Sequence, residues 1–325
     1  MDEFKVIKYN QGKRADWDDF VSNSKNATFL FHRDFMEYHQ DRFDDYSLMV
    51  YSDTKLVALI PSNRVKDTLI SHQGLSYGGL VLSQKAKFET VVKIYYSVLK
   101  YLNDNSIPTF EIKLLPKIYH QLPSDEIEYL LFKTNANLIR RDVSMVIDYT
   151  CKLESSSNRK RNLKRSKLNK VYVKEVVNFD DFFNQILIPN LKHRYNTLPT
   201  HSLTEIEELK LQFPKNIRQF NAYQNDEIIA GVTIFESSQV AHAQYISTIT
   251  SKNELGGLDA IFDFLINEVF IDKRYFSFGI SNENQGQQVN RGLINWKESF
   301  GANPITHDFY TIDTKNFSLL EDVMI

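Results

Sequence analysis

The sequence predicts an α/β protein of two domains with mixed sheets, the second domain repeating the layout of the first. Two observations carry this. Each half holds one long amphipathic helix pattern, from Phe88 to Leu102 and from Leu258 to Val269, preceded by short apolar runs joined by polar turns. Between the halves lies Ser155-Ser156-Ser157-Asn158, the most linker-like run of the chain. A chain of 325 residues is long enough for two domains of ordinary size.

In the first half, Phe4-Lys5-Val6-Ile7 reads as a strand, and Trp17, Phe20 and Val21 fall at helical spacing. Tyr46 to Tyr51 and Leu56 to Ile60 are strands joined by Ser52-Asp53-Thr54-Lys55, and Thr68-Leu69-Ile70-Ser71 reads as the third strand of the row. A Gly-rich passage, Gly74 to Gly79, leads to the long helix, where Phe88, Val91, Val92, Tyr95, Val98, Leu99 and Leu102 repeat every three or four residues. Thr109 to Lys113 is a short strand, Pro123-Ser124 precedes a helix through Lys133, and Leu138 to Tyr149 is extended.

The second half follows the same order. Phe179 to Leu191 and Thr204 to Leu211 are helical, the latter with Thr204 and Glu207 as its capping pair. Three strands follow: Ile217 to Tyr223, Ile228 to Phe235 and Val240 to Ser247. Gly256-Gly257 opens the long helix, Tyr275 to Ile280 is a buried strand, a helix ends near Phe300, and Ile305 to Ile312 is the last strand. The expected domains are residues 1–150 and 151–325, with the ligand cleft in the second and the last strand able to pack on the first.

Composition narrows the function. The apolar fraction is 42% and the charged fraction 25%, as in ordinary soluble domains. Net charge is −2, so any polyanion-binding surface has to be local. The single cysteine, Cys151, excludes an internal disulfide and a multi-cysteine metal site. The start Met1-Asp2-Glu3-Phe4-Lys5 has no apolar core of a signal peptide, and no apolar run reaches 18 residues. A cytoplasmic protein is expected.

Three motifs carry a family resemblance. They are the basic run Arg159 to Lys167, Gly231 in a strand followed by Gln244-Tyr245-Ile246, and the closing Trp296-Lys297-Glu298-Ser299-Phe300-Gly301. With the repeated element order, they resemble the Fem family, whose members carry two GNAT-type acyltransferase folds in one chain. The closing motif is similar to that family's Phe-Lys-x-x-Phe-Gly, with Trp296 for the first Phe. Pro199-Thr200-His201-Ser202-Leu203 and Phe278-Gly279-Ile280-Ser281 resemble Fem-like proteins of polysaccharide-synthesis loci. The coiled-coil arm of some Fem proteins is missing. The resemblance implies two tandem GNAT-like folds and transfer of an acyl or aminoacyl group to an amine or hydroxyl of a cell-envelope glycan or peptidoglycan precursor. It implies acyl-CoA or aminoacyl-tRNA as donor co-substrate and no tightly bound cofactor or metal.

The candidate site residues follow from these motifs. Seven cations crowd residues 159–170, and Arg161, Lys164 and Arg165 can share one helix face that suits phosphate; the competing reading is a solvated helix. The segment Thr248 to Gly257 occupies the place of the GNAT pyrophosphate loop, with Lys252, Gly256 and Gly257 as candidate donor-binding residues; a Gly-rich helix start without ligand is the alternative. His201, beside Pro199, and Glu283, after the buried strand, are candidate proton carriers. His242 faces either core or cleft. Arg194, Gln244, Tyr245, Asn290 and Trp296 are candidate substrate contacts. Lys297 takes the family's Lys position, where an ammonium stabilises an oxyanion or holds the donor. Expected partners are a phosphate-bearing small molecule or a lipid-linked glycan, and tRNA. A different class also fits: a non-catalytic module that binds a nucleotide-sugar or glycan. A nucleic-acid-binding role for the basic run is opposed by the near-neutral net charge.

Overall fold

Apolar spacing of three and four residues becomes helix wherever a sheet face is available to bury it. In the computed structural model, which describes residues 4–324, the helix Phe88–Asp104 sinks Val91, Val92, Tyr95, Val98, Leu99 and Leu102 into a core shared with Leu48, Val50, Ala58 and Ile60. The chain divides into two compact units. One runs through Asp142 and takes in Gln285–Gln287 and the residues from Thr306 onward; the other holds Val143–Asn284 and Gln288–Ile305.

In the first unit, strands Phe4–Lys8, Leu48–Ser52, Lys55–Ile60 and Val81–Leu82 form an antiparallel sheet in that order. The third strand of the row is therefore Val81–Leu82, not Thr68–Ile70. Thr68–Ile70 leaves that sheet, pairing antiparallel with Asn63–Val65 and parallel with Thr109–Lys113. Two-residue Val81–Leu82 is too short to show a period in the sequence. The last strand, Asn303–Asp313, pairs antiparallel with Thr109–Lys113 from Phe309 to Asp313.

The second unit's main sheet runs in the order Asn137–Asp148 (from Val143), Tyr275–Ile280, Val240–Thr248, Glu227–Glu236, Ile217–Gln224 and Tyr172–Val176. The edge strand Tyr172–Val176 goes unannounced in the sequence because Lys174 and Glu175 face solvent and interrupt any apolar run. Helix Gly257–Phe264 continues into a wide turn, Leu265–Val269, and buries Ile261, Phe262, Leu265 and Ile266 against the sheet. A similar wide turn, Phe183–Leu187, lies just ahead of Pro189 in the helix Ile188–Tyr195. There the proline's missing N–H and bulky ring oppose a regular ladder. The capping box at Leu203–Gln212 is Ser202 with Glu205, two residues earlier than the expected Thr204 and Glu207.

The closing motif is explained by packing. Trp296 and Phe300, four apart on the helix Arg291–Glu298 and its cap, meet Phe262 and Phe278 with ring centroids 4.9–5.9 Å apart. Gly301 follows with φ +90°, and a Cβ there would stand 2.5 Å from Leu153 O. Only glycine lets the chain stop the helix and touch the linker backbone. No helix among the described residues is long and apolar enough to cross a membrane.

Candidate active site

The second unit's sheet opens a fork. Val240–Thr248 pairs from Ala241 to Thr248 with Glu227–Glu236, but on its other side it meets Tyr275–Ile280 only from Val240↔Tyr275 to His242↔Ser277. Beyond that point the parallel strands part. Gly279, at φ +71°, turns the Tyr275 strand so that Ile280 faces Ser144 across a register shift. The edge of Ala243 to Thr248 then lies without a strand partner on that side among the described residues. A bulge falls at the same level: Thr233 faces Tyr245 and Ile234 faces Ala243, which leaves Gln244 as the extra residue. Bulges re-aim backbone N–H groups. An unpaired edge with a bulge is a place where a ligand carbonyl can receive backbone hydrogen bonds.

At the base of the fork stands His242, half-buried, with Nδ1 3.1 Å from Ser277 Oγ. That hydroxyl also accepts the Gly279 N–H at 3.2 Å. A Cβ on Gly279 would lie 3.2 Å from the His242 ring, so the ring packs over the glycine.

His201 is buried and lies with its Nδ1 2.6 Å from Tyr245 Oη, which also accepts the His201 N–H at 3.1 Å. Burial pushes the Tyr245 hydroxyl up to about 12. These two expected residues do come together, in the interior beside Phe183 and Phe235. On the strand, Tyr245 alternates with half-buried Gln244.

Lys297 lies at the end of the strand Tyr275–Ile280. It is 2% exposed, and its ammonium donates to Gly279 O at 2.9 Å, Ile280 O at 2.7 Å and Ser281 Oγ at 2.9 Å. All three donors are spent on the end of the Tyr275 strand, and no carboxylate among the described residues pairs with it. Burial lowers its pKa to about 7. The ammonium thereby ties down the turned strand end that shapes the fork.

The basic run forms the helix Ser157–Leu168, N-capped by Ser156. Arg161 and Lys164 are exposed on it, Arg161 donates to Asn158, and Leu168 on the same face is 84% exposed. Of the three expected phosphate ligands, Arg165 lines a cavity. That cavity, of about 480 Å³, is bounded by Arg159, Asn162, Arg165, Ser251, Leu258 and Trp296, with Glu254 and Asp259. Arg159 pairs with Asp259 at 2.8 Å, in the first turn of the helix Gly257–Phe264. Burial drives the Asp259 carboxyl upward, against the pull of Arg159. A second cavity, of about 400 Å³, is also lined by this pair and lies over Phe262, Ile266 and Phe300. Gly256, at φ +79°, would place a Cβ 2.9 Å from Asn162 O, so the two helices touch through it.

Other expected residues lie elsewhere. Lys252 is drawn to Glu227 at 2.5 Å. Glu283 accepts from Asn290 Nδ2 at 2.8 Å on an exposed two-stranded hairpin, Asn282–Glu283 with Gln288–Val289. Asn290 also caps the following helix through Leu293 N–H. Arg194 is exposed near the end of the helix Ile188–Tyr195. The Arg159–Asp259 pair and the Ser277 support of His242 were not picked out from sequence. A cation one turn into a basic helix was visible, but nothing local marks its partner a hundred residues on.

No family model and no curated protein sequence matches the chain. Solved structures do. The crystal structure of FemX aligns over 98% of this chain and 99% of its own, at 9% identity and a TM-score of 0.65. The C-terminal domain of a putative lysylphosphatidylglycerol synthetase from Agrobacterium fabrum aligns over 94% of each chain, at 9% identity and a TM-score of 0.59. A tandem GNAT protein from the clavulanic acid biosynthesis pathway aligns over 96% of this chain and 99% of its own, at 9% identity and 0.50. The fold is that of a tandem GNAT protein of Fem type.

Proposed function

We propose that the chain transfers an acyl or aminoacyl group to an amine or hydroxyl of a cell-envelope glycan or peptidoglycan precursor. The carrying observation is the fork with the bulge at Gln244 and His242 at its base. The donor carbonyl lies along the unpaired edge, where the bulge N–H groups take the growing oxyanion charge. The acceptor's nitrogen or oxygen attacks the carbonyl carbon, and the bond to the leaving sulfur or oxygen breaks. His242 donates Nδ1–H to Ser277 and receives the nucleophile's proton at Nε2; that proton then passes to the leaving group. Phosphates of acyl-CoA or aminoacyl-tRNA take the cavity of Arg159 and Arg165 at the start of the helix Gly257–Phe264. The likeness to a lysylphosphatidylglycerol synthetase domain supports an aminoacyl donor and a lipid-linked acceptor.

The test screens thermal stability against acyl-CoAs, aminoacyl-tRNA and UDP-sugars, followed by transfer of radiolabel from each stabilising donor. A ligand at a hundred times its Kd stabilises by about 2.7 kcal/mol. Arg165→Ala should weaken donor binding, while Arg161→Ala leaves it unchanged. His242→Asn should lower kcat by on the order of 10²-fold or more with the fold retained. Stabilisation by UDP-sugars alone, with no label transferred from any donor, would instead assign a glycan-binding module.

A further inference from the structure

The first unit carries a contiguous aromatic surface that the transfer reaction does not use. Phe132 is 74% exposed, Tyr129 41% and Phe88 39%. Phe88 and Tyr129 touch with ring centroids 5.4 Å apart, and Tyr129 and Phe132 lie 6.4 Å apart. Tyr129 and Phe132 are three apart on the helix Glu126–Lys133, and Phe88 opens the helix Phe88–Asp104. Three neighbouring rings left in water are a costly arrangement for a surface with no partner.

The charges beside these rings are unevenly committed. Glu89 pairs with Lys93 at 3.1 Å, and both Asp125 and Glu128 are held by Lys117. Lys85 and Lys87, which precede Phe88, and Lys133, which follows Phe132, have no ion-pair partner among the described residues. Glu89 is thus neutralised while Asp125 and Glu128 share one ammonium, and with three lysines free of ion pairs the surroundings of the exposed rings stay net positive. Aromatic rings favour the headgroup level of a bilayer, and lysines favour an anionic leaflet. Neither the charge nor the chemistry of the patch suits a second copy of itself, because face-to-face contact would bring six lysines together.

We propose that Phe88, Tyr129 and Phe132, with Lys85, Lys87 and Lys133, form a docking surface for an anionic lipid bilayer. The full chain is sedimented with vesicles of phosphatidylglycerol and phosphatidylcholine, and with phosphatidylcholine alone. Binding should require phosphatidylglycerol and should fall steeply with salt. Each lysine contributes roughly fivefold at an anionic surface, so K85Q/K87Q/K133Q should weaken partition on the order of a hundredfold. Phe132→Ser, at a site this exposed, should keep the thermal midpoint and also weaken binding, separating ring insertion from charge alone. Equal binding to both vesicle types, no binding to either, or indifference to both variants would overturn the proposal. So would a concentration-dependent dimer that Phe132→Ser abolishes, since the patch would then belong to a second copy.

Discussion

Replacing Lys297 by Met tests whether a buried amino group holds the fork. Lys297 is 2% exposed and meets only oxygens of residues 279–281. Burial carries its pKa from 10.5 to about 7. Between those values the unfolded chain binds a proton that the folded chain does not. Stability therefore rises with pH through this window, and it is flat below about pH 7, where both states are protonated. At about 1.36 kcal/mol per pH unit, the gain attributable to Lys297 from pH 7 to pH 9 is roughly 2.5 kcal/mol. Lys113, lowered to about 8 by burial, titrates in part of the same range. It is common to both proteins and cancels in the difference. The assay is urea unfolding of wild type and Lys297→Met at pH 6, 7, 8 and 9. The variant strands two carbonyls and a hydroxyl, at about 1–3 kcal/mol for each one left unsatisfied. It should be the less stable protein at pH 9, and the gap should shrink by roughly 2.5 kcal/mol towards pH 7. A gap independent of pH would refute the desolvated ammonium and, with it, the view that this lysine fixes the strand end by burial.

Packing and buried charge set the remaining outcomes. Gly256→Ala forces a Cβ to 2.9 Å from Asn162 O at φ +79° and should cost about 1–3 kcal/mol in thermal unfolding, whereas Gly292→Ala, on an exposed helix position with its nearest foreign atom at 3.6 Å, should stabilise by about 0.5–1 kcal/mol. Arg159→Met leaves the Asp259 carboxyl buried without its cation and should cost about 3–5 kcal/mol by denaturant titration, most of which Arg159→Met/Asp259→Leu should recover.

Local periodicity made much of the fold legible in the sequence. The three- and four-residue spacing from Val91 to Leu102 and from Ile261 to Ile266 admits only an amphipathic helix, and both helices formed with those residues inside. Trp296 and Phe300 likewise meet on one face because four residues make about one turn. What the sequence could not show was the direction of residues between such anchors. Lys297 sits beside Trp296 on the helix, and its target became available only because Gly279 turns two successive carbonyls towards it. The fork depends on where two parallel strands stop pairing, and a parallel pair leaves no turn signal to mark its register. His201 with Tyr245, and Arg159 with Asp259, join residues 44 and 100 positions apart. The sequence by itself determined the helices, most strands and the aromatic core, because each is set by neighbours within a turn or a pleat. The tertiary structure alone decided which polar groups were buried together, because that depends on how distant backbones approach and on which charges lose their water.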